Sequence, residues 1–103
     1  MNRRYVINIL AAQDLKEIAD YFTINSVEAG EKFFRQFERR CQQLINFPGM
    51  GRNYKEIRPY LQGLPIDGYI IFYRILDDGI EILRVINARR DLLYAFEDEE
   101  PSS

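Results

Sequence analysis

The alternation of apolar and polar residues in the last third of the chain predicts a β-hairpin. Within residues 65–91, two runs rich in Ile, Val, Tyr and Phe flank the dipeptide Asp78-Gly79. This dipeptide is a strong hairpin signal, because glycine adopts the positive φ that a tight turn requires. With these two residues as the loop, Tyr73 is predicted to face Arg84. Both faces of the hairpin carry large apolar side chains, so we expect it to lie inside a sheet or beneath helices.

The first half of the chain shows the pattern of one strand followed by two helices. Alternating apolar residues at 5, 7 and 9 predict a short strand. Helical spacing then predicts two amphipathic helices, one marked by Leu15, Ile18, Ala19 and Phe22 and the other by Phe33, Phe37, Cys41, Leu44 and Ile45. Asn25, followed three residues later by Glu28, resembles a capping box that would begin the second helix. Because few residues join the helices, we expect an antiparallel helical hairpin.

Proline and glycine residues divide the rest of the chain. The segment 47–51, Phe-Pro-Gly-Met-Gly, is predicted to end the second helix, because a proline disfavours helical geometry in the residue before it. A strand over about residues 59–66 contains two prolines, which lack an amide donor, so we expect an edge or irregular strand. Residues 92–96 are predicted to form one or two helical turns. We expect one domain over residues 1–96 and a disordered acidic tail over 97–103.

Composition limits the chemistry that the chain can perform. Its 103 residues suit a single domain. It contains no histidine and one cysteine, so the usual zinc sites and histidine-based triads cannot be built from it. We therefore expect neither a metal nor another cofactor. No apolar run approaches the roughly 20 residues of a membrane helix, and a single thiol suits a reducing compartment. A cytoplasmic protein that makes no membrane contact is expected.

Four segments of the chain together resemble the RelE/ParE superfamily of type II toxins. They are residues 14–21 (DLKEIADY), 47–52 (FPGMGR), 68–74 (GYIIFYR) and 82–91 (ILRVINARRD). The resemblance covers nearly the whole chain and implies an α+β fold of the type β-α-α-β-β-β(-α), in which a small, mostly antiparallel sheet packs against a helical hairpin. It also implies a bacterial toxin that is encoded beside a small antitoxin, which covers part of the toxin surface.

Members of this superfamily act on different targets although they are similar in fold. RelE-like members cleave mRNA on the ribosome, whereas ParE-like members inhibit DNA gyrase. Cleavage without a metal needs groups that activate the 2′-hydroxyl, stabilise the phosphate and protonate the leaving oxygen. Where RelE-like enzymes carry lysines, an arginine and a tyrosine for these tasks, alignment on Gly68-Tyr69 places Leu61, Gly63, Ile70 and Phe96. Only Arg90 matches the set, so the chain resembles the ParE-like branch.

Basic residues of the hairpin are the candidates for binding a partner. Arg74, Arg84, Arg89 and Arg90 are predicted to cluster at one end of the hairpin. Arg84 is assigned to a structural pair with Tyr73 in the sheet. The candidates for contact with the antitoxin or the target are Arg74, Arg89, Arg90 and Asp91, since arginine forms charge-assisted hydrogen bonds with acidic segments. The alternative for Arg90 and Asp91 is a mutual ion pair that caps the last helix, with Asp91 as its N-cap.

The sequence is thus interpreted as a ParE-like toxin that inhibits DNA gyrase by binding and is neutralised by a ParD-like antitoxin with a DNA-binding N-terminal part. A formal net charge of −2 and a pI of about 5.2 favour this reading over docking on RNA, and we expect no direct contact with nucleic acid. Two alternatives stay open. One is a RelE-like, ribosome-dependent mRNA endoribonuclease. The other is a degenerate toxin that only binds its antitoxin, since Asn87 and Ala88 replace the histidine and glycine of many ParE-like members.

Overall fold

A computed structural model describes residues 3–97. The elements in chain order are β1 (Arg4–Ile7), α1 (Ile9–Asn25), α2 (Val27–Asn46), a 3-10 turn (Pro48–Met50), β2 (Arg52–Asn53), β3 (Gln62–Ile66), β4 (Tyr69–Leu76), β5 (Gly79–Asn87) and α3 (Leu92–Glu97). The sequence pattern missed β2, because two residues are too few to show a period. Glu97 belongs to α3, and the remainder of the predicted tail lies outside the described residues.

Five strands form one sheet in the order β1-β5-β4-β3-β2. β1 runs parallel to β5, and the other neighbouring strands are antiparallel. The predicted α+β class with a mostly antiparallel sheet is therefore confirmed. β2 covers only the first two residues of β3, so Pro65 lies on an open edge, as its missing amide donor led us to expect.

The sheet carries a hydrophobic cluster on each face. Successive strand residues point to opposite faces, and Ile71 and Tyr73 pack in one cluster whereas Ile70 and Phe72 pack in the other. The first cluster joins the sheet to α1 and α2, and its α2 members are four of the five predicted positions: Phe33, Phe37, Cys41 and Leu44. The second cluster joins the opposite face to α3 and the β2–β3 loop.

A single residue, Ser26, separates the two long helices. Its backbone N–H donates to the carbonyl of Phe22 over 2.7 Å and so ends α1. Its hydroxyl accepts the N–H of Ala29 over 3.2 Å and so begins α2, which is the usual N-cap role of serine. The predicted capping box is wrong by one residue, since Asn25 is the last residue of α1 and its side chain donates back to the carbonyl of Tyr21.

The hairpin joins β4 to β5 in a register that differs from the prediction. Leu76 pairs with Gly79, so the two-residue loop is Asp77-Asp78 and Gly79 is the first residue of β5. Gly79 has a φ of 156°, and a Cβ atom at this position would overlap the backbone of Arg4 in β1. The glycine is therefore required by the close approach of β1 as well as by its own conformation.

The predicted partners Tyr73 and Arg84 are separated by the shifted hairpin register, and a β-bulge follows in β5. Tyr73 pairs with Ile82 and Phe72 pairs with Arg84, which leaves Leu83 as the extra residue. The predicted structural pair is therefore wrong. The bulge shifts the alternation of β5, so Ile82 and Val85 both pack in the cluster under α1 and α2 although they are three residues apart.

Arg84 instead pairs with Asp14 of α1. Its Nε and Nη2 donate to the two carboxylate oxygens over 2.7 and 3.0 Å, and the same carboxylate accepts the backbone N–H of Val85 over 2.9 Å. Arg84 Nη1 also donates to the carbonyl of Ala95 in α3 over 3.4 Å. The side chains of the pair are only 10% and 12% exposed. This ion pair joins α1, β5 and α3.

Tyr73 has a different structural task, which is to hold the turn after α2. Its hydroxyl donates to the carbonyl of Pro48 over 2.6 Å and accepts the N–H of Gly51 over 3.0 Å. Burial raises the pKa of Tyr73, so the hydroxyl stays protonated and continues to donate. A Cβ atom at Gly51 would lie 2.8 Å from the carbonyl oxygen of Gly63, which explains why a glycine ends this turn.

Replacing Arg84 by alanine is expected to lower the free energy of unfolding by about 3–5 kcal/mol, because a buried carboxylate on Asp14 loses its counter-charge. Urea denaturation measures this loss. The double variant Asp14→Leu/Arg84→Met should lose less than Arg84→Ala, since it removes both charges. Arg74→Ala is the matched control, because it breaks an exposed pair worth no more than about 1 kcal/mol. Equal, small losses in Arg84→Ala and Arg74→Ala would contradict the structural role of Arg84.

Candidate functional site

The four arginines that were predicted to cluster lie in three separate places. Arg74 lies near the β4–β5 loop, where its Nε is 2.7 Å from Glu81 Oε1. Arg89 and Arg90 follow the other end of β5. Because a strand rises roughly 3.3 Å per residue, about 20 Å of β5 separates these two positions. Arg84 is buried between them, so the predicted basic cluster is wrong.

The turn after β5 is held by Asn87. Its Oδ1 accepts the backbone N–H of Arg89 over 2.9 Å, and its carbonyl accepts that of Arg90 over 3.0 Å. Asp91 follows as the N-cap of α3, with Oδ1 accepting the N–H of Tyr94 over 3.2 Å. The capping role considered for Asp91 is therefore confirmed. Within residues 3–97, Arg90 forms no ion pair with Asp91, and both Arg89 and Arg90 are exposed.

Arg90 borders two adjoining clefts beside α1. One cleft, of about 230 Å³, contains Ile18, Tyr21, Tyr69 and Ile86. The other, of about 310 Å³, contains Leu10, Gln13, Arg84 and Ala95. Both clefts are also lined by Asp14, Glu17 and Arg90, so they adjoin at these side chains, and we call the two clefts together the α1 groove. Arg89 lines neither cleft.

Several polar groups in the α1 groove have no hydrogen-bond partner among residues 3–97. Asp14 is already engaged by Arg84 and Val85. By contrast, the carboxylate of Glu17 and the guanidinium of Arg90 are exposed and unpaired in the described part of the chain. Burial raises the pKa of Tyr69, and the neighbouring Tyr21 adds a smaller increase. The Tyr69 hydroxyl is therefore protonated at neutral pH. The groove thus offers one anion, one cation and phenolic donors to a partner.

The residues contributed by α1 were absent from the sequence-based candidates. One of them is Tyr21, which is 56% exposed. The sequence signal that could have identified Tyr21 was an aromatic residue beside the apolar stripe of α1. Periodicity alone does not assign that position to the surface. Glu17 gave no signal, because exposed glutamates are ordinary on an amphipathic helix.

The opposite face of the sheet contains the positions that the sequence analysis aligned with the catalytic groups of RelE-like enzymes. Leu61, Ile70 and Phe96 are buried in the second hydrophobic cluster. A Cβ atom at Gly63 would lie 2.7 Å from the Tyr54 ring and 2.9 Å from Ile70, so no longer side chain fits without rearrangement. The Phe72 ring packs edge-on against Phe96, with centroids 5.0 Å apart. These positions form core and present no proton-transfer groups.

Metal clusters, membrane-spanning helices and reactive thiols are other features that could carry a function within residues 3–97. No cluster of three or more His, Cys, Asp or Glu side chains could hold a metal ion there. None of the described helices is both long and apolar enough to cross a membrane. Burial raises the pKa of the Cys41 thiol to about 12, so the thiol is protonated and a poor nucleophile at neutral pH. The α1 groove, which contains the predicted contact residue Arg90, is the candidate functional site.

Residues 5–92 match the family described as the ParE toxin of the type II toxin-antitoxin system, parDE. Toxin ParE1 of Mycobacterium tuberculosis is 30% identical over 94 residues, covering 89% of this chain and 96% of the relative. Toxin ParE3 of Caulobacter vibrioides is 26% identical over 68 residues, covering 66% of this chain and 68% of the relative. A solved chain of the chromosomal ParDE TA system from P. aeruginosa has a TM-score of 0.67 at 21% identity, with 82% of this chain and 95% of that chain covered; it shares the fold.

The purified protein is expected not to cleave mRNA on programmed ribosomes. Leu61, Gly63, Ile70 and Phe96 supply no group that moves a proton, and Arg90 alone can only hold a phosphate. Primer extension on the bound message measures cleavage, with a RelE-like nuclease as the positive control. Cuts at codon positions above a no-enzyme control would contradict the expectation.

Proposed function

This chain belongs to the ParE toxin family of type II toxin-antitoxin systems, and on that premise we propose that it inhibits DNA gyrase by binding and that a cognate, ParD-like antitoxin neutralises it. The observation that carries the binding mode of action is the apolar second cluster. Positions 61, 63, 70 and 96, which bear catalytic groups in RelE-like enzymes, lie here in or against that cluster. A protein that lacks these groups acts through the contacts it makes.

The properties of Arg90 support binding over RNA cleavage. A guanidinium stays charged at any physiological pH, so it stabilises an anion but exchanges no proton. The phenol of Tyr69 is also a poor acid at neutral pH, because burial raises its pKa above the ordinary value of about 10. Arg90 and Tyr69 therefore fit recognition of an anionic or polar partner better than proton transfer to a leaving oxygen.

Among the predicted contact residues, Arg90 is the one that the proposal assigns to the antitoxin. The guanidinium of Arg74 is engaged by Glu81, and the carboxylate of Asp91 is engaged in capping α3. Arg89 is exposed but faces neither cleft of the α1 groove. Arg90 combines exposure, an unpaired charge within the described chain and a place in the groove, which are the properties of an interface contact.

Purified protein is expected to inhibit supercoiling by DNA gyrase, and the same protein pre-mixed with the antitoxin encoded beside it should not inhibit. In cells, induction without the antitoxin should arrest growth with filamentation and a DNA-damage response, because poisoned gyrase leaves broken DNA. The supercoiling assay and microscopy of induced cells are the measurements.

Different outcomes would overturn different parts of the proposal. Rapid arrest of translation with cleaved messages would replace gyrase by the ribosome as the target. Unimpaired growth and supercoiling, together with tight antitoxin binding, would identify a degenerate toxin. Growth arrest that the antitoxin fails to relieve would contradict neutralisation.

A further inference from the structure

We propose that the α1 groove receives a segment of the antitoxin that places an apolar side chain between Tyr21 and Tyr69, a carboxylate against Arg90 and a basic side chain against Glu17. This assignment rests on the proposed function, because it takes the antitoxin as the partner. It adds the chemistry of the bound segment and the residues that recognise it.

The cleft at the tyrosine end has room for one apolar side chain. The buried residues Ile18 and Ile86 and the rings of Tyr21 and Tyr69 supply apolar surface, and the remaining lining includes charged and polar groups. Its volume is about 230 Å³, and an apolar cavity of about 150 Å³ already accepts benzene. A leucine-sized or phenylalanine-sized side chain therefore fits. Tyrosine and arginine are the residue types that most often dominate binding energy at protein interfaces.

The charged groups of the groove predict which charged side chains the bound segment carries beside its apolar side chain. Arg84 balances the charge of Asp14, and the Val85 N–H also donates to its carboxylate. Asp14 therefore attracts a basic side chain of the partner only weakly. Glu17 and Arg90 line both clefts, and neither has an ion-pair partner among residues 3–97. A segment complementary to the groove therefore brings one negative and one positive side chain, which fixes its direction as well as its position.

The groove is also held in place before the partner arrives. The Arg84–Asp14 pair ties α1 to β5 along one side of the groove. The two hydrogen bonds from Asn87 hold the backbone of Arg89 and Arg90 on the other side. A prearranged surface loses little entropy on binding, so contacts made here contribute most of their energy to affinity.

The chain offers two matched control positions for a test. Arg89 is adjacent to Arg90, has the same charge and is also exposed, but it lies outside both clefts. Tyr94 is 58% exposed and Tyr21 is 56% exposed, but Tyr94 lies on the surface of α3. The sequence proposed Arg89 and Arg90 alike as antitoxin contacts, whereas the groove predicts that only Arg90 contributes to antitoxin binding.

The experiment is calorimetric titration of each purified variant with the antitoxin encoded beside this chain, at about 0.15 M salt, where exposed charges more than roughly 8 Å apart are screened. Arg90→Ala is expected to weaken binding by about 10- to 100-fold, the usual worth of a charge-assisted hydrogen bond. Tyr21→Ala is expected to weaken it by at least roughly fivefold. Arg89→Ala and Tyr94→Ala are expected to change affinity less than about threefold.

A third pair of variants tests whether the antitoxin segment places a basic side chain against Glu17. Glu17→Gln is expected to weaken binding by about two- to fivefold, as for an exposed ion pair. Asp20→Asn, on the same helix but outside the groove, should leave affinity unchanged. Melting curves accompany every titration, and Arg90→Gln and Tyr21→Phe replace the alanine variants if those unfold.

Equal effects within the Arg90/Arg89 and Tyr21/Tyr94 pairs would overturn the groove assignment and leave the proposed function intact. Tighter binding by Glu17→Gln would show that the segment carries no base there and would overturn the proposed charge pattern. If the unaltered chain does not bind that antitoxin at all, the proposed neutralisation itself fails, and the groove assignment fails with it.

Discussion

The buried pairing of Arg84 with Asp14 is the interaction on which the arrangement of this protein depends. β1 pairs only with residues 79–82, so within residues 3–97 no strand lies beside the edge of β5 beyond Ile82. Asp14 of α1 takes the N–H of Val85 at that open edge and holds Arg84 by two further hydrogen bonds. Burying charges is costly, and the cost is offset only when both partners are paired and hydrogen-bonded, as they are here.

The proposed binding site is connected to this interaction through geometry. The Arg84–Asp14 pair joins α1 to β5 within the lining of the α1 groove. Its bond to the carbonyl of Ala95 also holds α3 over the opposite face, where Ala95 and Phe96 close the second hydrophobic cluster. The same contact therefore shapes a polar surface on one side of the molecule and supports an apolar core on the other.

A single fold can serve chemically different toxins because activity depends on which positions are polar. In this chain the positions that the sequence aligns with RelE-type catalytic groups pack together as core, with Gly63 too close to Tyr54 for a side chain. By contrast, the charges of Glu17 and Arg90, which are unpaired among residues 3–97, lie in the α1 groove. Fold membership alone does not decide between cleavage and binding, so the proposal of binding rests on the chemistry of these faces.

Local features of this protein were determined by its sequence. The helices, the positions Phe33, Phe37, Cys41 and Leu44 in the core, and the cap formed by Asp91 depend on spacing and on neighbours within a few residues. The bulge at Leu83, the partner of Arg84 and the groove that distinguishes Arg90 from Arg89 were decided by the tertiary structure. Arg84 and Asp14 are 70 residues apart, and a bulge shifts every later side chain of a strand without leaving a residue pattern of its own. Such features depend on which elements meet in space, and only the assembled sheet and helices supply that information.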